Sequence, residues 1–164
     1  MGTFLNIVTL RAASTPLPRF LSARRELYQQ LPDRTSWAKQ TIVMNSIQTR
    51  NGIQYDETTG IFRLLAGVTY RITAKLSFAG VRTSPVMYKF RVVNHDTDRQ
   101  VGPAAMLVPP SANNPSSFGD LLDVIFTPSN DADYCLQMGS DVVADGRSKL
   151  RDDVGTCMNI VEVV

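Results

Sequence analysis

The run Val68 to Phe78 constrains the fold more than any other stretch of the chain. In it Val68, Tyr70, Ile72, Ala74, Leu76 and Phe78 alternate with Thr69, Arg71, Thr73, Lys75 and Ser77. Side chains along a strand point to opposite faces in turn, so this pattern marks a half-buried strand. Its β-branched and aromatic content agrees. Upstream, Asn51-Gly52 is a tight-turn dipeptide, and Asp56-Glu57-Thr58-Thr59-Gly60 is a polar turn closed by a residue free to take positive φ. Ala66-Gly67 breaks the chain again. Asn51 to Phe78 therefore reads as a β-meander.

The remaining chain repeats this grammar. Thr3 to Leu10, Thr41 to Ile47, Val86 to Val93, Val101 to Val108, Leu121 to Thr127, Tyr134 to Met138 and Cys157 to Val164 are expected strands. Gly102 and Pro103 weaken the fourth of these and suit it to an edge. About ten short strands with turn signals predict an all-β fold, a ten-stranded antiparallel jelly-roll sandwich. With 164 residues the chain forms one domain. Residues 41–164 are its core, and residues 1–40 supply an N-terminal strand and a basic, proline-containing loop packed on it. Within that loop, Arg19 to Leu31 fits a short amphipathic helix with Leu21, Leu27, Tyr28 and Leu31 on one side. Arg19, Arg24, Arg25 and Arg34 make the segment either a docking arm or a strap with its arginines in water. Trp37 is expected to anchor it.

Composition excludes several functions. A formal net charge of +2 gives no bulk electrostatic case for nucleic acid. No apolar run approaches the roughly 20 residues a membrane helix needs. The start lacks a basic region before its apolar residues, so no secretory signal is expected, and Asn6 does not fit a myristoylation motif after Gly2. Alternation turns Cys135 outward and Cys157 inward with Val161 and Val163, so two free thiols are expected. His95 is the single histidine and sits on a polar hairpin tip, which leaves no histidine-based triad or histidine cluster for a metal. The carboxylate pairs Asp96/Asp98, Asp131/Asp133 and Asp152/Asp153 lie in turn-rich segments where Asp is common, without calcium-loop spacing. No catalytic residue, metal or cofactor is expected, and the chain reads as a non-enzyme.

The run Tyr55-Asp56-x-x-Thr59-Gly60-x-Phe62, followed by Ala66-Gly67-x-x-Tyr70-Arg71-Ile72-Thr73, resembles the signature of the tumour-necrosis-factor-like and complement globular-head jelly rolls. It looks closer still to the bacteriophage members of that superfamily, found in tail-tip, tail-needle and other virion surface domains. Relative to the globular-head pattern the tyrosine is displaced by one residue, with Thr69 and Arg71 where aromatics would stand. The resemblance covers Ile42 to Val164 and implies a homotrimer. In it the Val68–Phe78 strand lies between the last strand and Leu121–Thr127, on the sheet that forms the trimer contact.

Taking Val68/Tyr70/Ile72, Leu122/Val124/Phe126 and Val161/Val163 as the core face leaves Leu121, Ile125, Met158 and Ile160 on the opposite face. Arg71, Lys75, Asp123 and Glu162 sit among them and could pair laterally. A water-exposed sheet face rarely carries so many large aliphatics, so these eight residues are the expected trimer interface. On the other sheet Arg63, Lys89 and Arg91 form a candidate basic patch, either for anionic groups of a surface glycan or simply solvated. Candidate receptor contacts fall in three loops at one end: His95, Asp96, Asp98 and Arg99; Asn113 and Asn114; Asp145 and Arg147. The resulting expectation is a virion structural protein made in the host cytoplasm, a homotrimeric surface head that attaches to a host receptor or glycan. Its partners would be itself, other virion components and the host surface, with no nucleic acid and no membrane insertion. A capsid decoration protein docking through Arg11 to Arg34 is the alternative, and a secreted signalling or carbohydrate-binding module is a second.

Overall fold

Alternation of buried and exposed side chains carries through most of the strands of the computed structural model. It describes residues 16–27, 29–30, 40–79, 88–108, 118–119, 121–140, 149–150 and 155–164. In chain order the strands are β1 (Phe20–Arg24), β2 (Gln29–Gln30), β3 (Gln40–Thr41), β4 (Ser46–Asn51), β5 (Gln54–Tyr55), β6 (Ile61–Leu64), β7 (Tyr70–Lys75) and β8 (Phe78–Ala79). They continue as β9 (Tyr88–Asn94), β10 (Gln100–Val108), β11 (Phe118–Gly119), β12 (Leu122–Phe126), β13 (Ala132–Ser140), β14 (Lys149–Leu150) and β15 (Cys157–Glu162). No helix occurs among the described residues, and the strands outnumber the ten expected because two expected runs are each cut in two and β1, β2, β11 and β14 lie in stretches expected to be loop or helix. Thr41 to Ile47, for example, is divided between β3 and β4, with no ladder between them.

Two antiparallel sheets face each other. One has the order β12-β7-β15, with the β1–β4 pair extending it. β1 runs along β15 between two backbone bonds, Glu162 N–H to the Arg19 carbonyl at 2.8 Å and Arg25 N–H to the Thr156 carbonyl at 3.0 Å. Both bonds fit one antiparallel register, which puts Phe20 opposite Val161. The other sheet has the order β11-β10-β9-β13-β6-β5, with β3 also on β13. β10 is bordered by β11 only at Leu107 and Val108, so it is close to the edge strand expected. Its register shifts between Val101 and Ala105, and Gly102-Pro103 lies in that irregularity. β2, β14 and β8 form a third, small sheet.

The core is what alternation selects. Tyr70, Ile72 and Ala74 of β7, Leu122 and Val124 of β12, and Leu21 and Ala23 of β1 meet Phe62, Leu64, Tyr88, Phe90, Val92, Leu136 and Met138 from the opposite sheet. Each large side chain buried in this way contributes roughly 1.5–3 kcal/mol. The motif residues fix the meander. Asp56 Oδ1 accepts from the Thr58 and Thr59 amides at 2.7 and 3.2 Å, and Gly60 N–H donates to the Asp56 carbonyl at 2.8 Å. Gly60 has φ of 75°, and a Cβ there would stand 2.8 Å from the Ile42 carbonyl, which only glycine avoids. Tyr55 is buried, its hydroxyl accepts from Met44 N–H at 2.6 Å, and desolvation raises its pKa.

Three expectations are corrected. Arg19 to Leu31 contains the strand β1 instead of a helix, because the β15 edge satisfies its backbone while Leu21 and Ala23 alternate inward. Its arginines are not a free basic arm either: Arg19 pairs with Glu162 at 3.2 Å and Arg24 with Glu26 at 2.6 Å. Arg25 is buried, donates to the Val43 carbonyl, and has its pKa lowered by desolvation. In β15 the faces are reversed: Met158 and Ile160 are buried, whereas Val161 and Val163 are exposed. Burying the Val161 face would also bury Asn159, whose amide would need a partner in the core. Cys157 follows suit, on the partly exposed Asn159 face, whereas Cys135 does lie on the side away from Tyr134, Leu136 and Met138 but is buried there beside Thr41; both thiols are free. Thr3–Leu10 and Trp37 lie outside the described residues.

The two sheets come close at Gly102, where φ is 68° and a Cβ would stand 2.6 Å from Val124 Cγ1. Gly102→Ala is therefore expected to cost about 2 kcal/mol and to lower Tm by roughly 5 °C. Thermal and urea unfolding of the full chain checks this; an unchanged midpoint would show that β10 and β12 are not wedged together there.

Candidate functional site

The outward face of β12-β7-β15-β1 is built by the same register that builds the core. Ile125 and Val161 lie on either side of Arg71, Asp123 and Asn159 on either side of Thr73, and Cys157 opposite Lys75. Phe20 extends the first of these rows, half-buried beside Val161. Relative exposure is 58% for Leu121, 63% for Ile125, 44% for Val161 and 47% for Val163. Four large aliphatics at this exposure on one sheet face, set around Arg71 and Asp123, are unusual on a lone domain.

In the middle of this face one ion pair is fully formed. Arg71 donates from Nε to Asp123 Oδ1 at 2.9 Å and from Nη2 to Asp123 Oδ2 at 2.6 Å. This two-pronged geometry reaches diagonally across β7 and β12, joining rows that differ by one step. Hydrogen bonding by Arg71, followed by its charge, holds the Asp123 carboxyl below its ordinary value, and the same bond raises Arg71. Lys75 is exposed on this face without an ion pair among the described residues.

Of the eight residues expected on this face, Arg71, Lys75, Leu121, Asp123 and Ile125 lie there. Met158 and Ile160 do not, being on the core side of β15, and Glu162 follows their parity, reaching Arg19 at the end of the strand. Val161, Val163 and Phe20 belong to the face and were missed. The signal available was Asn159, which shares a face with Val161 and is poorly suited to a core.

The basic patch separates. Arg63 lies opposite Asp133, Arg91 opposite Gln137 and Lys89 opposite Gly139, so the cations are spread along β13 over roughly 20 Å. Arg63 is paired with Asp133 at 3.2 Å, and Arg91 donates to Gln137 at 3.1 Å and to Gln100 at 3.4 Å. The strands that lead into the three loops do not end at one side of the sheet. The Asn94–Gln100 turn leaves where Tyr134 faces Asn94, whereas Leu107 and Ser140 both face Tyr88 at the far end of the sheet. Asn113, Asn114, Asp145 and Arg147 lie outside the described residues.

The described turn is rigidly made. Asn94 Oδ1 accepts from the amides of Asp96 at 3.2 Å and Thr97 at 2.9 Å, and from the Thr97 hydroxyl at 2.8 Å. Asp98 takes φ of 56° and accepts from Gln137 Nε2 at 2.6 Å, tying the turn to the sheet. His95 Nδ1 lies 3.3 Å from Asp96 Oδ1. Asp131 accepts from Ala66 N–H at 2.8 Å, so these carboxylates have structural work in place.

Comparison with solved structures settles the architecture. An Eiger TNF from S. frugiperda superposes with a TM-score of 0.56 at 7% identity, covering 90% of this chain and 94% of that one. Murine APRIL gives 0.56 at 10% identity, over 89% and 99% of the two chains. The globular domain of zebrafish complement 1qA gives 0.54 at 11%, over 90% and 98%. The chain has a TNF-like jelly-roll fold. At these identities the likeness is one of fold. No family model matches the sequence, and no curated protein does. Within this fold, β7 lies between β15 and β12 as the sequence resemblance implied.

The Arg71–Asp123 bond has a defined pH window. A carboxyl held below its ordinary 3.8 adds stability that is complete above that value and lost as pH falls through the lower folded value. Carboxyl carbon shifts of Asp123 should therefore titrate below those of an unpaired Asp, and Arg71→Gln should return them to the ordinary range. An Asp123 titration unaffected by that substitution would show that the pair does not form in solution.

Proposed function

We propose that the chain is a homotrimeric jelly-roll head, assembled through the outward face of β12-β7-β15-β1, that works by binding and not by catalysis. The observation that carries this is the exposed set Leu121, Ile125, Val161 and Val163 around an ion pair already satisfied within one copy. Such a face meets a second copy without leaving a bare charge from Arg71 or Asp123 in the contact, so the apolar area gained is set against desolvating a matched pair instead of two isolated ions, with Lys75 left for the second copy to match. The TNF-like fold supports this reading, since the resemblance that predicted the fold also implied a trimer sealed through this sheet.

The setting we propose is a virion surface, with the protein made in the host cytoplasm and displayed on the particle. The support is the likeness of the Ala66-Gly67-x-x-Tyr70-Arg71-Ile72-Thr73 strand to bacteriophage surface domains. Attachment to a host receptor or glycan would use loops held by the sandwich, and repetition of heads would raise weak contacts to firm binding. The capsid-decoration alternative is weakened by the ion pairs that occupy Arg19 and Arg24 and by the burial of Arg25, which leave less of that segment free to dock.

Ile125→Asp combined with Val161→Asp should convert the assembly to folded monomer at micromolar concentration, read by light scattering with circular dichroism as the folding control. A wild-type chain that is monomeric at the same concentration would sink the trimer. Immunogold labelling of particles tests the virion setting separately.

A further inference from the structure

A cleft of about 520 Å³ lies between the Asn94–Gln100 turn and the Thr127–Asn130 turn, floored by the ends of β10, β12 and β13. We propose that it binds one unit of an acidic saccharide, a pyranose carrying a carboxylate. This deepens the attachment reading by naming the chemistry recognised, and it does not depend on the trimer.

The chemistry of the walls carries the assignment. Among the lining residues Arg99 is the one charged side chain, and no carboxylate lines the cleft. Arg99 is exposed, with no ion pair among the described residues. The other polar groups are neutral amides and hydroxyls, chiefly Thr97, Ser129 and Asn130. Among the described residues Asn130 donates only to the neighbouring Ser129 hydroxyl, at 3.4 Å, so its amide can engage a ligand. Planar amides and hydroxyls match the vicinal hydroxyls of a sugar ring, and a lone guanidinium matches one carboxylate. A phosphate-rich ligand would call for more cations than the cleft offers.

An aromatic wall completes the cleft. Phe126 is half-buried there, edge-on to Tyr134 at a ring separation of 5.3 Å, and Tyr134 in turn stacks on Phe62 at 6.3 Å. Such a wall can take the apolar face of a pyranose. Both turns are fixed beforehand. The Asp98–Gln137 bond and the Gln100 Nε2 to Gly102 carbonyl bond at 2.8 Å hold one side. Gly67 N–H to the Pro128 carbonyl at 2.9 Å and the Thr69–Thr127 hydroxyl pair at 2.8 Å hold the other. Little ordering is then required when a ligand enters.

The test is a titration of the full, isotope-labelled chain with methyl glucuronide and N-acetylneuraminic acid, against methyl glucoside and acetate. At least one sugar acid should shift the amides of residues 94–102 and 127–130 saturably, and methyl glucoside should bind at least about five-fold more weakly. Arg99→Gln should remove the preference for the acid, and Asn130→Ala should weaken acid and neutral sugar alike, with amide shifts elsewhere unchanged. The proposal is overturned if no sugar produces a saturable shift in the cleft, if acetate binds as well as the sugar acids, or if Arg99→Gln leaves the preference intact. Because the titration uses neither cells nor particles, saccharide binding without cell attachment would refute the attachment reading alone.

Discussion

The register of β7 with its two neighbours governs most of this molecule. Placing Ile72 between Val124 and Ile160 in the core leaves Arg71 between Ile125 and Val161 on the outside. A shift of one residue would exchange the two sets and bury Arg71 and Lys75. The core and the exposed face are thus one arrangement seen from two sides. The apolar content of the outer face cannot be reduced by sliding a strand, only by covering it.

That register is held by turns made from few residues. The Asp56 side chain closes the turn before β6, and Gly60 fits against the Ile42 carbonyl where a side chain could not. The Tyr55 hydroxyl accepts the Met44 amide and so joins the start of the meander to the segment before β4. Gly102 lets β10 approach β12 across the sandwich. These positions account for the motif in physical terms: Asp for an oxygen acceptor, Gly for backbone shape, and Tyr for a buried body with one polar end.

The meander was legible in the sequence because its alternation is clean and its turns use residues with specific roles. Reading β15 was harder, since Met158, Ile160, Val161 and Val163 offer an apolar residue on each face, and hydrophobicity alone gives no preference. The polar Asn159 broke the tie. β1 looked helical because Leu21, Leu27 and Leu31 have helical spacing, but its backbone found a sheet edge, a contact that no local pattern records. Of the candidate site, the Arg71–Asp123 pair could be foreseen from neighbouring strands. The cleft beside Phe126 could not, since it joins two turns distant in sequence whose approach depends on the sheet order.

Antiparallel alternation also separates the connections. The Asn94–Gln100 turn departs from one end of the sandwich, and the chain leaves Val108 and Ser140 at the other. Copies packed around an axis parallel to the strands would share this polarity, giving the assembly two chemically distinct poles. If the proposed head meets its target with one pole, sequence could drift there while the opposite pole stays fixed. The sandwich between them acts as an insulator.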